Sequence, residues 1–404
     1  MRYDLVFEGG GAKGMAFVGA MREFEAAGHT FGRVVGSSAG AITATTLAAG
    51  YSAAEMLDAL NEKAGDQPIF ATFLGDPSPP PVDESALAEF FAAVDWSLVP
   101  GWAEGRLEKR LLAAMAGNPL GRNLLSFFEY GGFYSADPFV AWFERKLNDG
   151  RRPNGQPRDF GGLTFAELHA ITGVDLSLTA SDITHNRLRI LNHRTTPHLP
   201  VVWGTRMSMS LPLLWQEVVW REEWGPYRGY AGDRPVEMSL VGSVMVDGGL
   251  LSNFPIELLV SREPMVTKIM GPDAAEAVAG FLIDESRPVP GAPPPPAGKA
   301  PAALGKLGDL RTTRRLRGLV DTVTQARDKM VIDENRGRVV RLPAKTYGTT
   351  EFGMDLGRRD ALIDAAADVT RDYFVQAAAG GLESLEGLST EESDRIALGM
   401  LALE

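Results

Sequence analysis

Apolar residues in the N-terminal part of the chain follow two rhythms. Over residues 2–8, RYDLVFE, they crowd together as in a buried strand, and the run ends at Gly9-Gly10-Gly11. Over residues 14–28, GMAFVGAMREFEAAG, Phe17, Val18, Met21 and Phe24 recur at helical spacing, and Gly28 supplies a common stop. Residues 33–36 predict a second short strand, and AGAITATTLAAG after it a helix of small residues. Strand, helix, strand, helix at this density predicts a parallel sheet covered by helices. The texture changes over 66–132, where a DPSPPP loop and apolar stretches around Phe90-Phe91, Trp96, Trp102 and Phe127-Phe128 predict helices outside the sheet, an insertion or cap. Alternation then returns with a helix at 136–147, a strand at 174–181, RLRILNH beside it, and a strand-like run SLVGSVMVDGG at 239–249. SRPVPGAPPPPAGKAPA (286–302) is low in complexity and favours an extended loop. A helix, a strand at 337–343 and a helix at 358–379 follow it, and no internal repeat is present.

Composition narrows the chemistry. The 404 residues carry a net charge of −12, which argues against nucleic acid as a partner, since that affinity comes largely from neutralising phosphates. There is no cysteine, so disulfides, thiol nucleophiles, iron–sulfur clusters and thiolate zinc sites are excluded. MRYDLVFEGGG has no cationic start, apolar stretch and cleavage site of a secretory leader, and no apolar run reaches the roughly 18–20 residues of a membrane span. A cytoplasmic setting is expected, with export by a route that needs no such leader still open. Oligomeric state is not set by anything in the sequence.

Three glycine motifs carry the candidate chemistry. Gly9-Gly10-Gly11-Ala12-Lys13-Gly14 fits G-x-G-x-x-G between a strand and a helix. A dinucleotide site needs an acidic residue about 20 positions on, where this chain has Val34-Val35-Gly36-Ser37-Ser38; a phosphate-binding P-loop needs Ser or Thr after the lysine, where Gly14 stands. What is left is a row of backbone N–H groups suited to an anion, of which an oxyanion hole is one kind. Gly36-Ser37-Ser38-Ala39-Gly40 fits G-x-S-x-G, the sharp strand-to-helix turn that exposes a serine, with Gly36 and Gly40 as the elbow glycines. Asp247-Gly248-Gly249 is either an ordinary Asp-Gly turn or a placed carboxylate.

The histidines decide between serine chemistries. An α/β-hydrolase triad runs Ser, acid, His, but the last histidine is His198 and none follows Asp247. No metal-hydrolase spacing such as H-E-x-x-H occurs. A carboxylate within reach of the hydroxyl can itself act as base, which gives the pair Ser38 and Asp247, with His185 and His193 as the other bases to consider.

GGGAKG, GSSAG and DGG, each after a strand and in that order, resemble the patatin-like phospholipase family. LSLTASDITHNRLRIL, TRMSMSLPLLWQEV, DGGLLSNFPIE and AKTYGTTEFGM extend the likeness over most of 3–378, with 66–132 and 286–305 as poorly matching insertions. The resemblance implies a three-layer α/β/α fold with a mainly parallel central sheet and a helical insertion. It implies a catalytic domain over 1–380, and 381–404 as a tail or helix. It also implies a lipid acyl hydrolase that needs no cofactor or metal, with Ser38 as nucleophile, Asp247 as base, and Gly10, Gly11 and Ala12 in the oxyanion loop. The substrate would be a phospholipid or another acyl ester. Aromatics of the insertion would line an acyl channel or simply pack, and Lys13 would meet an anionic head group or stand in water. Arg311, Arg314, Arg315 and Arg317 form a basic cluster that would touch a membrane surface, peripherally, or make a solvated helix face. A transacylase using the same pair and a non-catalytic lipid-binding protein are the alternatives.

Overall fold

The computed structural model describes residues 1–78, 87, 112–152, 154–272, 275–294, 335–380 and 390–401. Its centre is an eight-stranded sheet built from β1 (Arg2–Phe7), β2 (Thr30–Gly36), β3 (Asp175–Asp182), β4 (Arg187–Asn192), β5 (Val218–Val219), β6 (Val244–Asp247), β7 (Ala277–Pro288) and β8 (Val339–Lys345). The order is β8-β7-β1-β2-β3-β6-β5, with β4 also paired to β3. The pairs from β8 through to β3 are parallel, whereas β3 with β4, β3 with β6 and β6 with β5 are antiparallel.

Alternation along these strands makes the layers. Leu5, Phe7, Val34, Phe281 and Leu342 join one apolar core, and their neighbours Val6, Val35, Leu282 and Val339 join another on the opposite face. Both faces of a parallel sheet must be covered, and here they are. The first face packs α1 (Ala16–Ala26), α2 (Ala39–Ala48), α3 (Ala53–Asn61), α4 (Asp137–Asn148), α5 (Val201–Ser208) and α6 (Leu356–Ala378), which contribute Phe17, Ala44, Met56, Phe139, Val202 and Leu362. The second packs the short helices Glu257–Val260 and Pro264–Met270, and α7 (Thr390–Leu401) through Ala397 and Leu401. Asp394 of α7 accepts from the Ser261 hydroxyl at 2.7 Å and the Arg262 N–H at 2.8 Å. The expected three-layer α/β/α arrangement is the observed one.

One strand sets the geometry that matters. β4 takes one edge of β3 from Ser177 to Asp182, so β2 and β6 must share the other. β2 runs along it until Gly36 lies opposite Leu178, and β6 arrives from the other direction until Asp247 lies opposite Ala180. The two strand ends therefore meet, separated by two residues of β3, or about 7 Å of strand.

The expected strand at 239–249 shortens to Val244–Asp247, because Ser243 N–H bonds back to the Leu240 carbonyl at 2.8 Å in a turn. The expected helix at 14–28 begins as a 3-10 turn over Gly11–Met15. Within 66–132 the described parts include a 3-10 turn, Ile69–Phe73, and a helix, Pro119–Tyr130, capped by the Asn118 side chain on Gly121 N–H at 2.8 Å. Phe90, Phe91, Trp96 and Trp102 lie outside the described residues, as do most of 286–305 and the cluster Arg311, Arg314, Arg315 and Arg317. Among the described residues no helix is long and apolar enough to cross a membrane.

Candidate active site

β2 ends at Gly36 and α2 starts at Ala39, so the chain must reverse within Ser37 and Ser38. Ser38 does so at φ 53° and ψ −120°, a region that costs a side-chain-bearing residue of order 1–3 kcal/mol and clusters at functional sites. The flanking glycines permit it. A Cβ on Gly36 would lie 2.2 Å from the Gly40 carbonyl oxygen, and one on Gly40 would lie 2.2 Å from that of Phe7. Ser37 pins the turn from beneath: its hydroxyl shares a 2.6 Å hydrogen bond with that of Thr179 and donates to the Ser252 carbonyl at 3.0 Å.

The Ser38 hydroxyl donates to Asp247 Oδ2 at 2.6 Å. The other oxygen, Oδ1, accepts the Gly249 N–H at 2.7 Å, and the Asp247 N–H is held by the Ser210 carbonyl at 2.9 Å. Asp247 is 1% exposed. Burial pushes its carboxyl up from the ordinary 3.8 to about 7, against the pull of the hydrogen bonds from Ser38 and Gly249. A carboxylate with that affinity for protons is matched to taking one from an alcohol near neutral pH.

The loop after β1 borders the same point. Gly9 N–H bonds to the Asn253 carbonyl at 3.1 Å, and Asn253 Nδ2 donates back to the Gly9 carbonyl at 2.9 Å. Gly11 has φ +54°, and a Cβ there would lie 2.2 Å from the Thr349 carbonyl oxygen. That carbonyl accepts the Ala12 N–H at 2.8 Å, so Ala12, expected among the oxyanion donors, is already engaged. Among the described residues the N–H groups of Gly10, Gly11 and Ala39 meet no acceptor.

Lys13 corrects an expectation. Expected in water or at a head group, its side chain is only 4% exposed and pairs with Glu285 of β7. The 3-10 turn that follows the glycines swings the lysine inward over the strand that carries its counter-ion. His185 and His193 face other acids: His185 Nδ1 lies 2.9 Å from Asp182, and His193 is stacked on His169, 3.6 Å from Asp175. Among the described residues no group of three or more His, Asp or Glu is placed to hold a metal ion.

Several neighbours were not singled out from the sequence. Ser208 Oγ accepts the Ser38 N–H at 3.1 Å, and buried Arg206 bonds to the Ser210 hydroxyl and, at 2.6 Å, to the Gln216 carbonyl. Both serines and the arginine lie in TRMSMSLP, a segment whose family likeness was the available signal. Asn253 lies likewise in DGGLLSNFPIE.

Ser38 opens into an apolar cavity of about 900 Å³, mouth included, walled by Met15, Ile42, Phe70, Phe73, Trp215 and Phe352. Phe70 and Phe73 come from the 66–132 segment, but Phe127 stacks on Phe133 at 4.5 Å and Phe128 is 60% exposed, so neither of these aromatics lines the cavity.

A family model described as patatin-like phospholipase matches residues 5–260. The uncharacterized protein YqhO of Bacillus subtilis strain 168 is 26% identical over 284 residues, 68% of this chain and 74% of that protein. Among solved structures, VipD from Legionella pneumophila aligns at a TM-score of 0.44 and 17% identity, over 93% of this chain and 67% of its own. ExoU from the type III secretion system of Pseudomonas aeruginosa, in its heterodimeric complex with SpcU, aligns at 0.36 and 16%, over 98% of this chain and 58% of the other.

Proposed function

Because the chain belongs to the patatin-like phospholipase family, whose shared activity is lipid ester hydrolysis, we propose that it is a serine–aspartate acyl hydrolase of the phospholipase A or lysophospholipase type. The observation that carries this reading is the 2.6 Å hydrogen bond from the Ser38 hydroxyl to Asp247, placed where an apolar cavity opens.

Asp247 takes the Ser38 proton as the Oγ attacks the ester carbonyl. The tetrahedral oxyanion turns to the N–H groups of Gly10, Gly11 and Ala39, each such donor being worth about 100-fold or more in rate. Collapse expels the alcohol or lysolipid, which takes the proton from Asp247 and leaves the acyl group esterified to Ser38. Water, deprotonated by Asp247, then releases the fatty acid and restores the serine. The strained Ser38 backbone supports this reading, because the turn holds Oγ in one place before substrate arrives. The cavity supports it too, since an acyl chain needs a dry, apolar sleeve next to the nucleophile.

The test is release of p-nitrophenol from short and medium acyl esters by wild type, Ser38→Ala and Asp247→Asn, followed by mass detection of fatty acid from phosphatidylcholine and lysophosphatidylcholine. Loss of turnover in both folded variants is expected. Full activity in Asp247→Asn would mean that another base serves Ser38.

A further inference from the structure

The apolar cavity has a charged end. On α2 the cavity is lined by Ala39, Ile42, Thr43 and Thr46, one stripe at helical spacing, so it runs along that helix away from Ser38. From Ser38 to Thr46 the helix rises about 12 Å. Just past its C-terminus Tyr51 and Lys146 join the lining, beside Met56, Leu60 and Trp142. Lys146 Nζ pairs with Glu62 at 2.8 Å and Asp149 at 3.2 Å, and the Tyr51 hydroxyl donates to the Lys146 carbonyl. Arg158 stacks 4.0 Å over the Tyr51 ring while bonding to the Ala49 and Gly50 carbonyls, which fixes Tyr51 against the end of α2.

Tyr51, Ala59 and Lys146 also line the far side of this wall, an open depression that includes Glu55, Asp58 and Asp149. The wall is therefore a single layer of side chains between an apolar sleeve and a polar surface. A chain too long for the sleeve must break the Lys146–Glu62 pair and lay its methylenes among carboxylates, gaining no burial for them.

We propose that Lys146, with Glu62 and Tyr51, is the end wall that sets acyl-chain length, limiting the acyl group to about ten carbons, the extended length that fills about 12 Å. This rests on the acyl-hydrolase reading and names the substrate class for it: medium-chain acyl esters. Lys146 is a specificity-determining residue in this scheme and takes no part in the chemistry.

Two experiments test it. The first measures kcat/KM for p-nitrophenyl esters from four to sixteen carbons in wild type, Lys146→Ala and Ala59→Phe. Wild type should gain roughly fourfold per added methylene while each new one is buried, then stop gaining near ten carbons. Lys146→Ala should raise its own ratio of sixteen- to ten-carbon turnover at least tenfold, and Ala59→Phe should move the optimum to six or eight carbons. Ratios within one variant cancel any loss of active protein. The second, independent of turnover, follows the thermal stability of Ser38→Ala with decanoate and hexadecanoate. Decanoate should stabilise it and hexadecanoate should not, until Lys146→Ala is added. Wild type that handles sixteen carbons as well as ten, or variants whose profiles do not move, would overturn the end wall. Protein that hydrolyses no ester yet still discriminates the two fatty acids would overturn the hydrolase reading and leave the wall standing.

Discussion

The Ser38 N–H donates to the hydroxyl of Ser208 at 3.1 Å, so the last residue of α5 holds the backbone of the proposed nucleophile from a position 170 residues away in sequence. Both residues are buried. Ser208→Ala leaves the N–H of a strained residue without a partner, which costs about 1–3 kcal/mol. Expected are a fall in urea-unfolding stability of that size and a fall in kcat of about tenfold or more, as Oγ loses its fixed position. Ser208→Thr, which keeps a hydroxyl, should recover part of both.

Asp247 predicts a pH dependence with two opposite signs. As a base it must be unprotonated, so kcat/KM should rise tenfold per pH unit on the acid side and level off above a midpoint near 7, the pH to which burial pushes its carboxyl. For stability the same shift works the other way. The folded state keeps the proton up to about pH 7 and the unfolded chain only to 3.8, so the folded state binds more protons between these values. Stability from this group is then complete near pH 4 and declines as pH rises to 7. Asp247→Asn has no proton to lose there. Its advantage over wild type should be near zero at pH 4 and grow to as much as about 4 kcal/mol above pH 7, read by urea unfolding at a series of pH values. An advantage that shrinks with pH would contradict the buried, proton-holding carboxyl.

Gly40 sets local propensity against packing. It lies inside α2, where alanine is intrinsically better than glycine by roughly 0.5–1 kcal/mol. A Cβ there would sit 2.2 Å from the Phe7 carbonyl oxygen and 2.7 Å from that of Glu8, both backbone atoms of the adjoining strand and loop. Packing should win. Gly40→Ala is expected to lose about 1–3 kcal/mol and most of its activity, because relieving the clash moves the Ser38 turn. Gly399, in α7, is the control: nothing lies within 4 Å of a Cβ built there, so Gly399→Ala should be neutral or stabilising in the same assay.

The sequence disclosed what is encoded locally. β1, β2, the α2 helix and the three glycine motifs each rest on a few adjacent residues whose spacing or missing side chains narrow what the segment can do. Asp247 shows the boundary: the Asp-Gly-Gly turn is visible in one line of sequence, but its meeting with Ser38 depends on both strands sharing one edge of β3. Lys13 shows what lies beyond it. An isolated lysine after glycines reads as solvated or substrate-facing, and only the fold brings up Glu285, 272 positions later. Ser208 and Thr349 also lie far along the chain from the groups they bind, and neither residue type in its local context signals the bond.

That lysine yields the last prediction. Lys13 is buried while Glu285 is more than half exposed, so the two partners of one ion pair are not equivalent. Glu285→Gln leaves an uncompensated cation inside the protein, which burial makes costly. Lys13→Met instead leaves a carboxylate that water can solvate, and replaces the buried ammonium with an uncharged chain of similar length. Glu285→Gln should therefore lower the melting temperature more than Lys13→Met does. If Lys13 acted on a head group, its loss would change the ratio of rates on anionic and zwitterionic lysophospholipids. With the side chain turned toward β7, Lys13→Met should leave that ratio within about twofold, a difference of less than ~0.5 kcal/mol.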